Sequence, residues 1–330
     1  MATIKQIAEV SGFSPTTVSI VLRGKANERH ISEETRTKIL ATAQQLGYRA
    51  NIAARRLRTN KSSNVVVSVF MALDQRSYAM MRFLRGLQSA AIERNLELVI
   101  HSYKSGSLHL YREAIELNNC VIICNASNAD LQFLERTTFA VPIVLFFRTS
   151  EKYHSVSTNL ADVGKMAAET FARRGNKHVA VLAAPSYFSG LDQCMAELTK
   201  IAKDNKMAVT TINETHDAQG GYNGGIALCK MNPMPDCVFC VSSIMILGAL
   251  RAFEQQNIKI PGQVELITLG TENPELEEYA SVAISSISVP IELMARECIR
   301  LLFLQLDGKL DDPCMVEVPA TYHPRESCGR

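Results

Sequence analysis

Residues Thr3 to Arg23, TIKQIAEVSGFSPTTVSIVLR, decide how this chain is read. Thr3 can cap a helix, with Gln6 three residues on in the position of a capping-box partner. Ile4, Ile7 and Ala8 then fall on one helical face. Ser11-Gly12 ends the helix, because Gly accepts the left-handed backbone that a sharp turn needs. Ser14 caps a second helix and Pro15 takes its first position, where the missing N–H costs nothing. In this second helix Val18, Val21 and Leu22 face inward, and Thr16, Ser19, Ile20 and Arg23 face outward. An amphipathic helical hairpin of any small domain would share the pattern. Short hydroxyl side chains in the outward first turns fit a recognition helix entering a major groove. An outward Ile20 has an apolar partner there in the thymine methyl group.

Downstream, Gly24 to Ile31 form a polar, partly basic loop, with Arg29 as a candidate phosphate contact or simply a solvated charge. Ser32 caps a third helix with Glu33 and Glu34 in its first turn, and Ile39, Leu40, Ala43 and Leu46 supply its apolar face until Gly47 ends it. Tyr48 to Asn60, YRANIAARRLRTN, follow as a tether. Asn51 can cap a short helix there, carrying Ala53 and Ala54 as small contacts and Arg55, Arg56 and Arg58 as charges. Such a helix is marginal alone and needs DNA or a partner chain to form. Leu57 lies between arginines, as apolar wedges that enter the minor groove do, although a linker leucine packed on the body is the alternative.

Charge is distributed in the same sense. The 330 residues are 47% hydrophobic and 21% charged, the balance of a globular protein, and the net charge is only +2. Residues 1–60, however, hold ten Lys and Arg against four Glu, a net +6, and the remainder is −4. A basic head on an acidic body suits a phosphate-binding head. No signal-like or membrane-spanning apolar run is present, so a cytoplasmic protein without membrane contact is expected. The nine scattered cysteines fit a reducing compartment. Cys237 and Cys240 have CxxC spacing inside an apolar strand, where residues three apart point to opposite faces, which disfavours a metal or redox site.

From Asn64 the periodicity changes. Apolar runs at 65–70, 96–101, 121–124, 142–147, 178–184, 237–241 and 264–270 alternate with helices at 80–94, 162–174, 244–256 and 290–306. This alternation indicates parallel sheets covered on both faces. Two series of about four strands, separated near 155–159, predict two lobes with a cleft at the strand carboxyl ends. Gly220 to Gly225 lack the order of a phosphate loop and read as a flexible helix start. Seven histidines show no metal-binding spacing, and no nucleophile triad is visible. No enzyme activity, metal or cofactor is expected.

Taken together, ATIKQIAEVSGFSPTTVSIVL, ISEETRTKILATAQQLGY and the NxxARxL pattern at Asn51 to Leu57 resemble the LacI/GalR family of bacterial transcription regulators. The resemblance extends over essentially the whole chain. It implies a multidomain protein: an all-α helix-turn-helix head (1–47), a hinge helix (48–60), and a two-lobed α/β body like periplasmic binding proteins (61–330). The lobes would be 61–160 with 290–320, and 161–289 with 321–330. It further implies a repressor that binds a pseudo-palindromic operator as a homodimer, or as a tetramer of two such dimers, and senses a small molecule. By position it assigns base contacts to Pro15, Thr16 and Ile20, phosphate contacts to Thr17, Ser19 and Tyr48, and minor-groove insertion to Leu57. Control by a protein partner is an alternative within the same class, and a free small-molecule binding protein is a disfavoured one from another.

The body departs from the family pattern. Gly190 stands where an Arg is usual, Ser243 where an Asp is usual, and Gly270-Thr271-Glu272 where the family has GYD. Losing a guanidinium and a carboxylate disfavours a neutral monosaccharide. Asp74, Arg148, Ser243 and Glu272 remain as effector-site candidates. Arg148 would meet an anionic group and Asp74 or Glu272 would accept from a hydroxyl or amine, so a small charged metabolite is the expectation. Solvated loop charges or a lobe-to-lobe ion pair are the alternative for these residues.

Overall fold

The computed structural model describes residues 4–22, 29, 31–46, 65–72, 77–185, 189–272 and 274–329. The chain divides into two compact units, 1–63 and 64–330.

In the first unit, α1 (Ile4–Ser11), α2 (Pro15–Leu22) and α3 (Glu33–Gln45) enclose a small core of Ile7, Ala8, Val18, Val21, Ile39 and Ala43. Gly12 makes the predicted turn at φ +79°, its N–H bonded to the Ala8 carbonyl at 3.0 Å. The side chains of Ser14 and Ser32 accept from the N–H groups of Thr17 and Thr35, three residues on, at 3.1 and 3.3 Å. Leu40 is a correction to the expected core: it is 42% exposed. The helix instead turns Thr42 inward, and that hydroxyl is satisfied by the Lys38 carbonyl at 2.9 Å.

The second unit begins with β1 (Val66–Ala72), α4 (Ser77–Arg94), β2 (Glu97–Tyr103), α5 (Arg112–Glu116), β3 (Cys120–Cys124), α6 (Asn128–Arg136), β4 (Ile143–Phe146) and β5 (His154–Ser157). It continues through α7 (Leu160–Arg173), β6 (His178–Ala183), α8 (Ser189–Asp204), β7 (Ala208–Asn213), α9 (Ala218–Cys229), β8 (Cys237–Cys240), α10 (Ser243–Gln255) and β9 (Glu265–Gly270). It ends with α11 (Pro274–Glu277), β10 (Ser285–Ser288), α12 (Ile291–Leu306), β11 (Met315–Glu317) and β12 (Thr321–His323).

These strands form two six-stranded sheets, ordered β11-β5-β4-β3-β1-β2 and β12-β10-β9-β8-β6-β7. Every pairing is parallel except β10 with β12. Both sheets reverse direction beside their first strand, at β1/β3 and β6/β8, which is where ligand crevices arise in doubly wound sheets. The chain crosses between the lobes at 158–159, 289–290 and 318–320. Thr158 ties two of these crossings together through a 2.5 Å bond from its hydroxyl to the Val318 carbonyl.

Five strands were not expected from apolar runs: β5, β7, β10, β11 and β12. Their sequences, HSVS, AVTTIN, SSIS, MVE and TYH, are short or polar. Consequently 154–157 is a strand of the first sheet, and the separation expected near 155–159 narrows to 158–159. β10 is fully buried in spite of its three serines because each hydroxyl has a partner.

Gly220 to Gly225 also read differently in three dimensions. Helix α9 starts at Ala218, capped by the Asp217 carboxylate accepting from the Gly220 N–H at 2.7 Å. A Cβ on Gly221 would collide with the Met245 carbonyl, and one on Gly248 with the Ala218 carbonyl and the Tyr222 N–H. The glycines let α9 and α10 approach backbone to backbone, so they serve close packing and not a flexible start.

Candidate nucleic-acid interface and ligand cleft

Helix α2 presents two faces. Val18 and Val21 are buried in the head core, and Pro15 and Thr16 are exposed at the opposite side of the first turn. The Thr17 hydroxyl lies 2.8 Å from that of Ser14 and is half-buried, so it is partly committed to the cap. Ser19 and Ile20 are also half-buried, which makes Ile20 less free than an outward position implies. Arg29 is exposed, and Lys38 sits 5.5 Å from the centre of the Phe13 ring. Thr3, Arg23, Tyr48, Asn51, Arg55, Leu57, Arg58 and Asp74 lie outside the described residues.

Between the lobes of the second unit, a cavity of about 120 Å³ opens at the carboxyl ends of the strands. The first lobe contributes Ala79 and Met80 from α4, Asn125 after β3 and Phe147 after β4. The second contributes Ala184, Pro185 and Leu191, then His216, Val241 to Ile244, Leu269 to Thr271 and Leu276. Leu160, Val289 and Ile291 line it at the crossings. The wall is thus mostly aliphatic and aromatic, with Asn125, His216, Ser242, Ser243 and Thr271 as its polar residues among those described.

Two lining residues hold left-handed backbone without being glycine: Asn125 at φ +53° and Phe147 at φ +61°. Each is pinned at a strand end, by Asn125 N–H to the Phe146 carbonyl at 3.1 Å and Phe147 N–H to the Val156 carbonyl at 2.9 Å. Asn tolerates this conformation, whereas a bulky aromatic residue there is a true outlier. Such strain concentrates at ligand sites.

Of the four effector candidates, Ser243 lines the cavity. Its hydroxyl donates to Glu277 Oε1 at 3.0 Å. Arg148 does not line it. That residue is 8% exposed, and Nη2 donates to Asn128 Oδ1 at 2.6 Å within the first lobe. Burial lowers its pKa and the neighbouring Asp130 carboxylate offsets part of that. Asp130 is itself held by the N–H groups of Gly106, Leu108 and Ser127, so this is a scaffold network, neither a ligand contact nor a bridge between lobes. Glu272 stands after β9 at φ +54°, half-buried and likewise absent from the lining. An anionic ligand held by Arg148 is therefore not supported.

Sequence reading missed Asn125, Phe147, His216 and Glu277. Phe147 was counted as the last residue of an apolar strand, and nothing local marks its inversion. Glu277, in a run of acidic residues, looks like a solvated charge yet is 0% exposed. It accepts from Ser286 at 2.8 Å and faces Arg325 Nη1 at 3.5 Å. Cys237 and Cys240 are both buried in β8, and burial pushes the Cys240 thiol up to about 12. Among the described residues no His, Cys, Asp or Glu cluster is able to hold a metal.

Comparison with known proteins places this geometry. Residues 3–51 match the family described as bacterial regulatory proteins, lacI family. Residues 168–328 match the periplasmic binding protein-like domain. The chain carries a LacI-family helix-turn-helix head and a periplasmic binding protein-like body. Its relatives include the HTH-type transcriptional repressor PurR of Vibrio cholerae serotype O1 (strain M66-2), 24% identical over 94% of this chain and 93% of the relative. The sucrose operon repressor of Klebsiella pneumoniae is 26% identical over 98% of each. A LacI family transcription regulator from Clostridium acetobutylicum superposes with TM-score 0.76 at 27% identity, covering 79% of this chain and all of that one. The lac repressor dimer bound to operator and the anti-inducer ONPF superposes with TM-score 0.71 at 17% identity over 99% of both chains, a likeness of fold. With that pairing of domains the protein is a DNA-binding transcriptional regulator. No helix among its described residues is long and apolar enough to cross a membrane.

Proposed function

We propose that the protein represses transcription in the cytoplasm by binding a pseudo-palindromic operator as a homodimer, under the control of a small molecule in the cleft between its lobes. The observation that carries this is α2: its first turn is capped, exposed and polar, and its opposite face is locked into the head core. A helix presented in that way places its N-terminal side chains on base edges.

In this reading residues 1–47 are the head, 48–60 the hinge helix and 61–330 the body. Pro15, Thr16 and Ile20 read bases, while Thr17, Ser19 and Tyr48 join Thr3, Arg23 and Arg29 on the backbone. Asn51 starts the hinge helix, Leu57 wedges into the minor groove, and Arg55 and Arg58 neutralise phosphates. An apolar face on α4 and β2, where Met81 and Ile100 are 66% and 51% exposed beside Leu84 and Leu98, offers the area a homodimer would cover. A tetramer would add a second such pair. Catalysis plays no part in this function.

Selection of bound duplexes from a random pool with purified full-length protein tests it. The expected product is a site with two symmetric halves about one helical turn apart. A pool that stays random after several rounds would refute the proposal.

A further inference from the structure

The lining of the cleft says what kind of molecule it takes. This inference rests on the reading that the cleft is the effector site, and it concerns the chemistry of that effector. The cavity's 120 Å³ is a little below the ~150 Å³ of an apolar protein cavity that holds benzene, so its occupant is about one ring in size. Phe147, held at φ +61° after β4, lines the cavity together with Val241, Ile244 and Leu269. Aromatic side chains favour offset or edge-on contact with another ring.

The polarity of the one well-anchored hydroxyl fixes the other half of the ligand. Ser243 opens α10 with its side chain at the cavity, and behind it lies the fully buried Glu277. The bond at 3.0 Å runs from the Ser243 hydroxyl to Glu277 Oε1, so it uses the serine proton. The other carboxylate oxygen, Oε2, accepts from Ser286 at 2.8 Å and faces Arg325 Nη1 at 3.5 Å, so donors surround the group on that side. With its proton turned inward, Ser243 has lone pairs left to offer. It meets a ligand as an acceptor.

We propose that the cleft binds a small uncharged aromatic molecule of a single ring, that ring against Phe147 and a hydroxyl or N–H group donating to Ser243, with buried Glu277 setting the direction of that hydrogen bond. Glu277 touches no ligand and is a positioning residue. Replacing its carboxylate by an amide would supply an N–H that can donate to Ser243, turning the serine proton toward the ligand or the Leu269 carbonyl at 3.4 Å and so removing or inverting the preference.

The test is calorimetric titration of the full-length protein with p-cresol and with its methyl ether, which differ only in the donor. Glucose, glucose 6-phosphate, benzoate and hypoxanthine complete the panel. The wild type is expected to bind p-cresol saturably at one site per chain and to prefer it to the ether by about tenfold, the upper range of one hydrogen bond. Phe147→Ala should weaken p-cresol about tenfold or more, Ser243→Ala should abolish the preference for it, and Glu277→Gln should remove or reverse the preference. Should Glu277→Gln fail to fold, Ser243→Ala still decides, since Ser286 and Arg325 keep their bonds to Glu277 Oε2 in that variant. Absence of cresol binding, equal binding of cresol and its ether by wild type, or tighter binding of the sugar, the anions or hypoxanthine would overturn the proposal. DNA binding measured on the same preparations separates the two levels: with it intact, such a result overturns only the ligand class, and without it the regulatory reading falls too.

Discussion

Val18→Ala puts the independence of the DNA-binding head to a quantitative test. Val18 is 0% exposed among Ile7, Val21, Ile39 and Ala43. Removing its two methyl groups forfeits about 1.6 kcal/mol of transfer free energy, and the residual cavity raises the loss to about 2–3 kcal/mol. A single core of this size seldom supplies more than about 3–5 kcal/mol, so the variant head approaches its unfolding midpoint. Hydrogen exchange followed by mass spectrometry reads this directly. Amides of α1 to α3 should lose about thirtyfold or more in protection, as 2 kcal/mol requires. Those of the body should not change, because 64–330 is a separate unit. Leu40→Ala, at a position 42% exposed, is the control and should alter protection little. Equal effects of the two substitutions, or loss of protection in the body with Val18→Ala, would refute the assigned core or the independence of the head.

Other perturbations separate the roles of individual groups. Ile20→Ala should change base preference in the half-site by about 1–3 kcal/mol at one position, whereas Arg29→Ala should weaken all duplexes alike, as competition assays on single-base variants would reveal. Leu57→Ala should lower affinity for the selected site by removing a wedge worth a few kcal/mol, and leave binding to random duplex nearly unchanged. Equal losses on both DNAs would mean that Leu57 supports folding. His154 is buried, and its Nδ1 accepts the Cys314 N–H at 2.9 Å. Burial depresses its pKa. The unfolded chain therefore takes up the proton first, and the stability contribution is whole above about pH 6.5 and lost as pH falls below it. Urea midpoints of His154→Gln should show a shallower decline over that acid range than those of the wild type.

Local signals and long-range signals were not equally readable in the chain. The head turn was legible because Ser14-Pro15 and Gly12 each have a conformational reason to be where they are. Strands with both faces buried announced themselves as apolar runs, as in CVIIC and CVFC. Strand β10 did not, because its burial depends on Glu277 and Arg325, side chains outside the strand that satisfy its serines. The cleft was legible as a place, from the carboxyl ends of parallel strands, but its chemistry was misjudged. Arg148 follows a strand as a ligand residue would, yet its guanidinium is taken by Asn128. The residue before it, Phe147, looks like core and turns into the cavity through an inverted backbone that no local pattern encodes. Leu40 shows the same limit within a helix, where spacing alone cannot say whether position 40 or 42 faces the core.

The central claim is that the basic head binds DNA through its phosphates while the acidic body stays clear of them. The measurement that tests it most directly is the affinity of the full-length protein for its selected duplex as a function of salt. A dimer carrying two heads of net charge +6 and making about 6–10 phosphate contacts should lose roughly 10³–10⁵ in affinity between 50 and 200 mM salt. An affinity that stayed flat across that range would contradict the account.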